Sequence, residues 1–112
     1  MERMNVGVIG ATGMVGQNYV RLLEDHPWFD VKYVAASPSS AGKKYSDAVE
    51  GRWLMDDEIP ARVRDLVVQD ARDVEEASRQ CEFVFSSVEM DKQAIRETED
   101  AYAAAGIPVV SN

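Results

Sequence analysis

One heptapeptide constrains this chain more than any other feature: Gly10-Ala11-Thr12-Gly13-Met14-Val15-Gly16, set between an apolar run and an amphipathic stretch. The run before it, Asn5-Val6-Gly7-Val8-Ile9-Gly10, is short, apolar and ends at glycine, as a strand buried on both faces does. The stretch after it, Met14 to Asp25, puts Val15, Tyr19, Leu22 and Leu23 on one helical face and is stopped by Pro27. Each glycine has a physical use in such a strand-to-helix turn. Gly10 permits the tight bend, Gly13 lets backbone approach a pyrophosphate because it has no Cβ, and Gly16 lets the helix pack closely on the strand. The helix start then presents unpaired N–H groups and a partial positive charge to the phosphates. The spacing is G-x-x-G-x-x-G rather than G-x-G-x-x-G. Glycines alone fit a packing turn equally well. Their position, after a strand and opening a helix, favours dinucleotide binding.

The rest of the chain continues the alternation. Val31 to Ala36 reads as a second strand, closed by Ser37-Pro38-Ser39-Ser40-Ala41-Gly42. Lys43 to Arg64 is polar and irregular, with isolated Trp53 and Leu54, and reads as a loop with one short helical turn. Asp65 to Gln69 is a short third strand. Asp73-Val74-Glu75-Glu76 has the form of a capping box, and Val74, Ala77 and Cys81 share the face of the helix that follows. Glu82 to Ser86 is a fourth strand. Asp91 serves as N-cap of a helix to Ala105, with Ile95 and Tyr102 inward and Gly106 as its stop. Ile107 to Ser111 is a fifth strand. The fold expected is α/β, a doubly wound parallel sheet of five strands in the order 3-2-1-4-5.

Charge narrows the partners. The 112 residues carry a net charge of −8, which argues against nucleic acid as a general partner. The charge is uneven: residues 1–45 hold 5 basic and 4 acidic groups, whereas residues 46–112 hold 7 and 16. Screening over about 8 Å at physiological salt makes the local balance the relevant one, so the first third is able to hold an anion. No apolar run approaches the roughly 18 residues that span a bilayer. Met1-Glu2-Arg3-Met4 is no secretory leader, so a cytoplasmic protein without membrane contact is expected. A single cysteine excludes an internal disulfide and a cysteine-based zinc site.

The end of the second strand selects the nucleotide. NAD sites commonly place a carboxylate there for the ribose hydroxyls. This chain instead has Ser37, Ser39 and Ser40, with Lys43 and Lys44 following. Hydroxyls and ammonium groups welcome an additional phosphate that an acid would repel, so NADP is expected over NAD.

Four blocks in order, V-G-V-I-G-A-T-G-M-V-G, A-A-S-P-S-S-A-G-K-K-Y, F-V-F-S-S-V and G-I-P-V-V-S-N, resemble the N-terminal part of aspartate-semialdehyde dehydrogenases, most nearly the archaeal and fungal branch. The resemblance spans the chain and is weakest over residues 46–64. It implies reduction of β-aspartyl phosphate to aspartate semialdehyde with NADPH, at a branch point of lysine, threonine and methionine synthesis. The implied mechanism uses a cysteine thiolate that displaces phosphate, a thioester that accepts hydride, and a histidine that manages protons. Carried over by position, Thr12, Gly13, Met14 and Val15 hold the pyrophosphate, Ser37 and Ser40 meet the 2′-phosphate, and Ser86 and Ser87 lie beside the cofactor. Related reductases of malonyl-CoA or N-acetyl-glutamyl phosphate share this cofactor half. Extended short-chain dehydrogenases share the glycine turn but often supply arginine after the second strand.

Family members are much longer, so residues 1–112 are expected to be a truncated NADP-binding domain, inactive alone, without the catalytic and dimerisation domain of a homo-oligomeric enzyme. The family's phosphate-binding arginine and its catalytic cysteine and histidine lie beyond Ser111-Asn112. Cys81 does not match the nucleophile and reads as a buried small residue. His26, at a helix end, reads as a cation complementing the dipole. Trp28 and Trp53 read as covers for sheet edges or an interface rather than as ligand-stacking rings, Asp56-Asp57-Glu58 as a solvated loop, and Glu97, Glu99 and Asp100 as a wet helix face. A stand-alone nucleotide-sensing module remains the alternative of another class.

Overall fold

Buried strands joined through helices have to run parallel, because each crossover returns the chain to the same end of the sheet. The computed structural model of the chain, which describes residues 3–24, 26–55, 58–88 and 92–111, has this architecture. Strands β1 (Met4–Ile9), β2 (Phe29–Ala36), β3 (Gln69–Asp70), β4 (Phe83–Ser86) and β5 (Val109–Ser111) form one sheet in the expected order β3-β2-β1-β4-β5. Every pairing between them is parallel. The helices are α1 (Met14–Leu22), α2 (Tyr45–Ala48), α3 (Ala61–Arg64), α4 (Val74–Gln80) and α5 (Lys92–Ala104).

The two-residue period of the strands divides the core. Val6 and Val8 pack with Val20, Leu23, Tyr45, Val49 and Val63 on one face. Ile9 packs with Tyr33, Ala77, Cys81, Val84 and Tyr102 on the other. Gly7 lies in register with Tyr33, and a Cβ there would come within 2.8 Å of the Tyr33 ring, so bare backbone in β1 makes room for that ring. The Tyr102 hydroxyl donates to Ala71 O at 2.7 Å and that of Tyr33 to Asp73 O at 3.3 Å. Burial pushes the Tyr102 phenol up to about 12, so it stays protonated and holds the turn after β3.

Several expectations need revision. Helix α1 stops at Leu22 because its end tightens: Glu24 N–H bonds Arg21 O, and His26 N–H bonds Leu23 O. Its buried side is Gly16, Gln17, Val20 and Leu23, whereas Leu22 is 59% exposed. The third strand begins later than expected, at Gln69. Residues 66–68 are diverted: Leu66 O and Val68 O accept from Tyr45 and Gly42, and Val68 N–H donates to Lys43 O. The region from Lys43 to Arg64 is a core element rather than a loop with one turn, since it contains α2 and α3 and buries Tyr45, Val49 and Val63. His26 also has a local structural role: its Nδ1 takes the Trp28 N–H at 3.1 Å, and its ring stacks on Phe29.

Other readings hold. Asp73 caps α4, accepting from Glu76 N–H at 3.2 Å. Asp73→Ala is expected to lower stability by about 1 kcal/mol, read as a fall in the urea midpoint at unchanged slope. Cys81 is buried, donates to Ala77 O, and burial pushes its thiol up to about 11, which keeps it from acting as a nucleophile at neutral pH. Gly106, at φ 83°, ends α5. The expected N-cap Asp91, the helix end at Asp25, the pair Asp56-Asp57 and Asn112 lie outside the described residues. Among the described residues no helix is long and apolar enough to cross a membrane, and no cluster of metal-ligating side chains occurs.

Candidate functional site

The sheet reverses its direction of growth between β1 and β4, and in open parallel sheets that switch point, at the carboxyl ends of the strands, is where ligands bind. A cleft of about 290 Å³ lies there, lined by Gly10, Thr12, Gly13, Ala36, Ser37, Pro38, Arg52, Asp70, Ala71, Arg72, Ser87 and Val88. It is assembled from the ends of β1, β2, β3 and β4 and from the segment after α2.

The glycine turn forms its floor by close backbone approach. Gly10 takes φ 81°, a left-handed conformation, and a Cβ on it would lie 2.6 Å from Ser87 O. A Cβ on Gly16 would run into the carbonyl oxygen of Gly10 and lie 2.7 Å from Ala11 Cα. Gly13 is the N-cap of α1, at φ −79° and ψ 170°, and no side chain among the described residues caps the helix. The amides of Met14, Val15 and Gly16 therefore start the helix without an intrahelical acceptor.

The carbonyls of this turn are all turned inward and paired. Gly10 O accepts from Ser87 Oγ at 3.2 Å, and Ala11 O from the Tyr45 hydroxyl at 2.7 Å. Thr12 O accepts from Gln17 Nε2 at 2.9 Å and Gly13 O from Gln17 N–H at 2.8 Å. Pinning the acceptors into the protein leaves donor groups as the polar character of the outer surface, which suits an anion. Buried Tyr45 loses its hydroxyl's water for this bond, and burial pushes its phenol above the ordinary tyrosine range.

Of the residues singled out from sequence, Gly10, Thr12, Gly13, Ser37 and Ser87 come together on the cleft. Met14, Val15 and Gly16 continue from its floor into α1. Ser39 reaches the cleft only through Ser37, whose hydroxyl lies 2.9 Å from its own. Ser40 is buried behind the wall. Ser86 is buried in register with Ile9 and Ser111, and its Oγ has no partner among the described residues, at a desolvation cost of about 1–3 kcal/mol. Lys43 and Lys44 are not on the lining, and Lys44 faces Asp65 at 3.9 Å.

Sequence reading missed the cations that do line the cleft. Arg72 grips Asp70 in two-point fashion, at 2.8 and 3.1 Å, and holds that carboxyl below the usual range. Arg52 enters from an aperiodic stretch that gave no signal. Asp70 ends β3 and Arg72 follows it, in a strand that starts four residues later and ends one residue later than its expected span of Asp65 to Gln69.

Residues 5–112 match the family described as semialdehyde dehydrogenase, NAD binding domain. The aspartate-semialdehyde dehydrogenase of Saccharomyces cerevisiae is 42% identical over 106 residues, 95% of this chain and 27% of that protein. That of Archaeoglobus fulgidus is 40% identical over 112 residues, 98% of this chain and 30% of that protein. A crystal structure of aspartate semialdehyde dehydrogenase with NADP from Candida albicans superposes with a TM-score of 0.86 at 39% identity, covering 99% of this chain and 30% of that one. The chain thus spans about 30% of the length of the relatives it matches. With the turn, the switch-point cleft and the strand order already in place, these matches show that the chain belongs to the semialdehyde dehydrogenase NAD-binding-domain family.

Proposed function

We propose that residues 1–112 are the NADP-binding domain of an aspartate-semialdehyde dehydrogenase, in which the cofactor reduces β-aspartyl phosphate to aspartate semialdehyde. One observation carries the cofactor assignment. The glycine turn has its carbonyls paired inward and an uncapped helix start, while the end of β2 offers serine hydroxyls and no carboxylate. NADPH, when bound, supplies the hydride. The chain's own residues bind and orient it. Gly10, Thr12, Gly13, Met14, Val15 and Gly16 grip the pyrophosphate through backbone, Ser37, with Ser39 bonded to it, receives the 2′-phosphate while buried Ser40 takes no direct part, and Ser86 and Ser87 flank the cofactor at the end of β4. Asp70, the carboxylate on the cleft, is already neutralised by Arg72 and does not repel the extra phosphate.

The catalytic thiol, base and substrate-phosphate site belong to the remainder of the enzyme that the relatives' length represents. The assembly is a cytoplasmic homo-oligomer serving lysine, threonine and methionine synthesis. Cys81 takes no part, being buried on the α4 face.

The test is nucleotide preference. NADPH titrated into the chain by fluorescence is expected to bind at least tenfold more tightly than NADH. Ser37→Asp, which sets a carboxylate against the 2′-phosphate, is expected to reduce that ratio by about tenfold or more. An unchanged ratio would show that the end of β2 does not read the phosphate.

A further inference from the structure

The region from Lys43 to Arg64 has two helices of four residues each, too short to hold themselves in place. Its position over the glycine turn is set by side-chain tethers. One is the Tyr45 hydroxyl on Ala11 O. The other is Gln17, a polar residue 1% exposed on the buried side of α1. Its Nε2 donates to both Thr12 O and Arg52 O at 2.9 Å, and its Oε1 accepts from Leu54 N–H at 2.9 Å. Two carbonyls on one atom and an N–H on the other fix the orientation of the amide. A single carboxamide thus joins the turn to residues 52 and 54.

We infer that Gln17 and Arg52 form a clamp on the dinucleotide's pyrophosphate, with Gln17 positioning the backbone that presents the Arg52 guanidinium to the cleft. The inference rests on the dinucleotide reading above and adds to it a cation that reading lacked. Arg52 is exposed and lines the cleft that Thr12 and Gly13 also line. Arg72, the other guanidinium there, is taken by Asp70, whereas Arg52 has no carboxylate partner among the described residues. The tether decides which phosphate it serves. Arg52 is tied through Gln17 to the carbonyl of Thr12, in the turn that grips the pyrophosphate, and not to the serines after β2. The clamp therefore acts on NADPH and NADH alike.

The test measures NADPH and NADH affinity of the full chain by nicotinamide fluorescence, with thermal melts, for Arg52→Gln, Arg52→Lys, Gln17→Met and the double variant. Arg52→Gln is expected to weaken both nucleotides by about tenfold at unchanged melting temperature, and Arg52→Lys to recover part of the loss. Gln17→Met removes the tether, and combined with Arg52→Gln it is expected to add little further loss of affinity. Three results would overturn the inference: parental binding by Arg52→Gln, a loss confined to NADPH, or fully additive losses in the double variant. Since Arg52 is exposed, its variants keep the test decisive if Gln17→Met fails to fold. A parent chain that binds neither nucleotide would overturn the dinucleotide reading itself, and this inference with it.

Discussion

Gly13→Val is expected to abolish NADPH binding while leaving the fold intact, with a loss of at least 100-fold, or about 2.7 kcal/mol. The two effects separate because the residue's backbone is ordinary. At φ −79° and ψ 170°, Gly13 occupies an extended conformation open to any residue, so its backbone conformation does not require glycine. What requires it is the ligand. Gly13 is the N-cap, lining the cleft where α1 begins, and a branched side chain there stands where phosphate oxygens meet the first amides of the helix. Fluorescence titration and a thermal melt on the same preparation check both halves. A variant that binds NADPH like the parent would remove the turn from the binding site.

Gly16→Ala is expected to do the reverse, acting on stability first. Helix propensity alone makes this change favourable by about 1 kcal/mol. Packing opposes it. The new Cβ would meet the carbonyl oxygen of Gly10 and lie within 2.7 Å of Ala11 Cα, backbone atoms that have no rotamer through which to yield. To accept it, α1 has to withdraw from β1, opening the core around Val8 and Val20. Overpacking of this kind costs about 3 kcal/mol, which outweighs the propensity gain and lowers the melting temperature of a domain this size by roughly 10 °C or more. A melting temperature that rises, as propensity predicts, would show that the helix and strand do not touch there.

The glycines of the turn also show how unevenly the molecule can be read from its residues. The roles of Gly10 and Gly16 were legible because a strand that turns at once into a helix leaves little room for a side chain, and the structure places backbone atoms against both. The capping box at Asp73 and the stop at Gly106 were legible for the same reason, since each satisfies or ends a helix through local geometry. Tyr45, by contrast, stood in a polar, aperiodic stretch and is wholly buried, because its partner Ala11 O is 34 residues away. Arg52 was invisible in the same way: its place depends on Gln17, 35 residues earlier, whose burial no periodicity announced. The displacement of β3 has a similar origin, as residues 66–68 bond to the turn at 42–45 instead of to β2. Likewise Lys43 and Lys44, neighbours of the serines in sequence, lie off the cleft in space.

What the amino-acid order determined by itself was the alternation of strand and helix, the parallel sheet with its switch point, and the glycine turn, because each follows from period, chirality and sterics within a few residues. Tertiary structure alone decided which side chains beyond that turn brace or line the cleft: Gln17 and Tyr45 on the turn's carbonyls, and Arg52 and the Asp70–Arg72 pair on the lining. Their hydrogen bonds and packing join segments distant in sequence, and such contacts exist only once the sheet has brought those segments to the same edge.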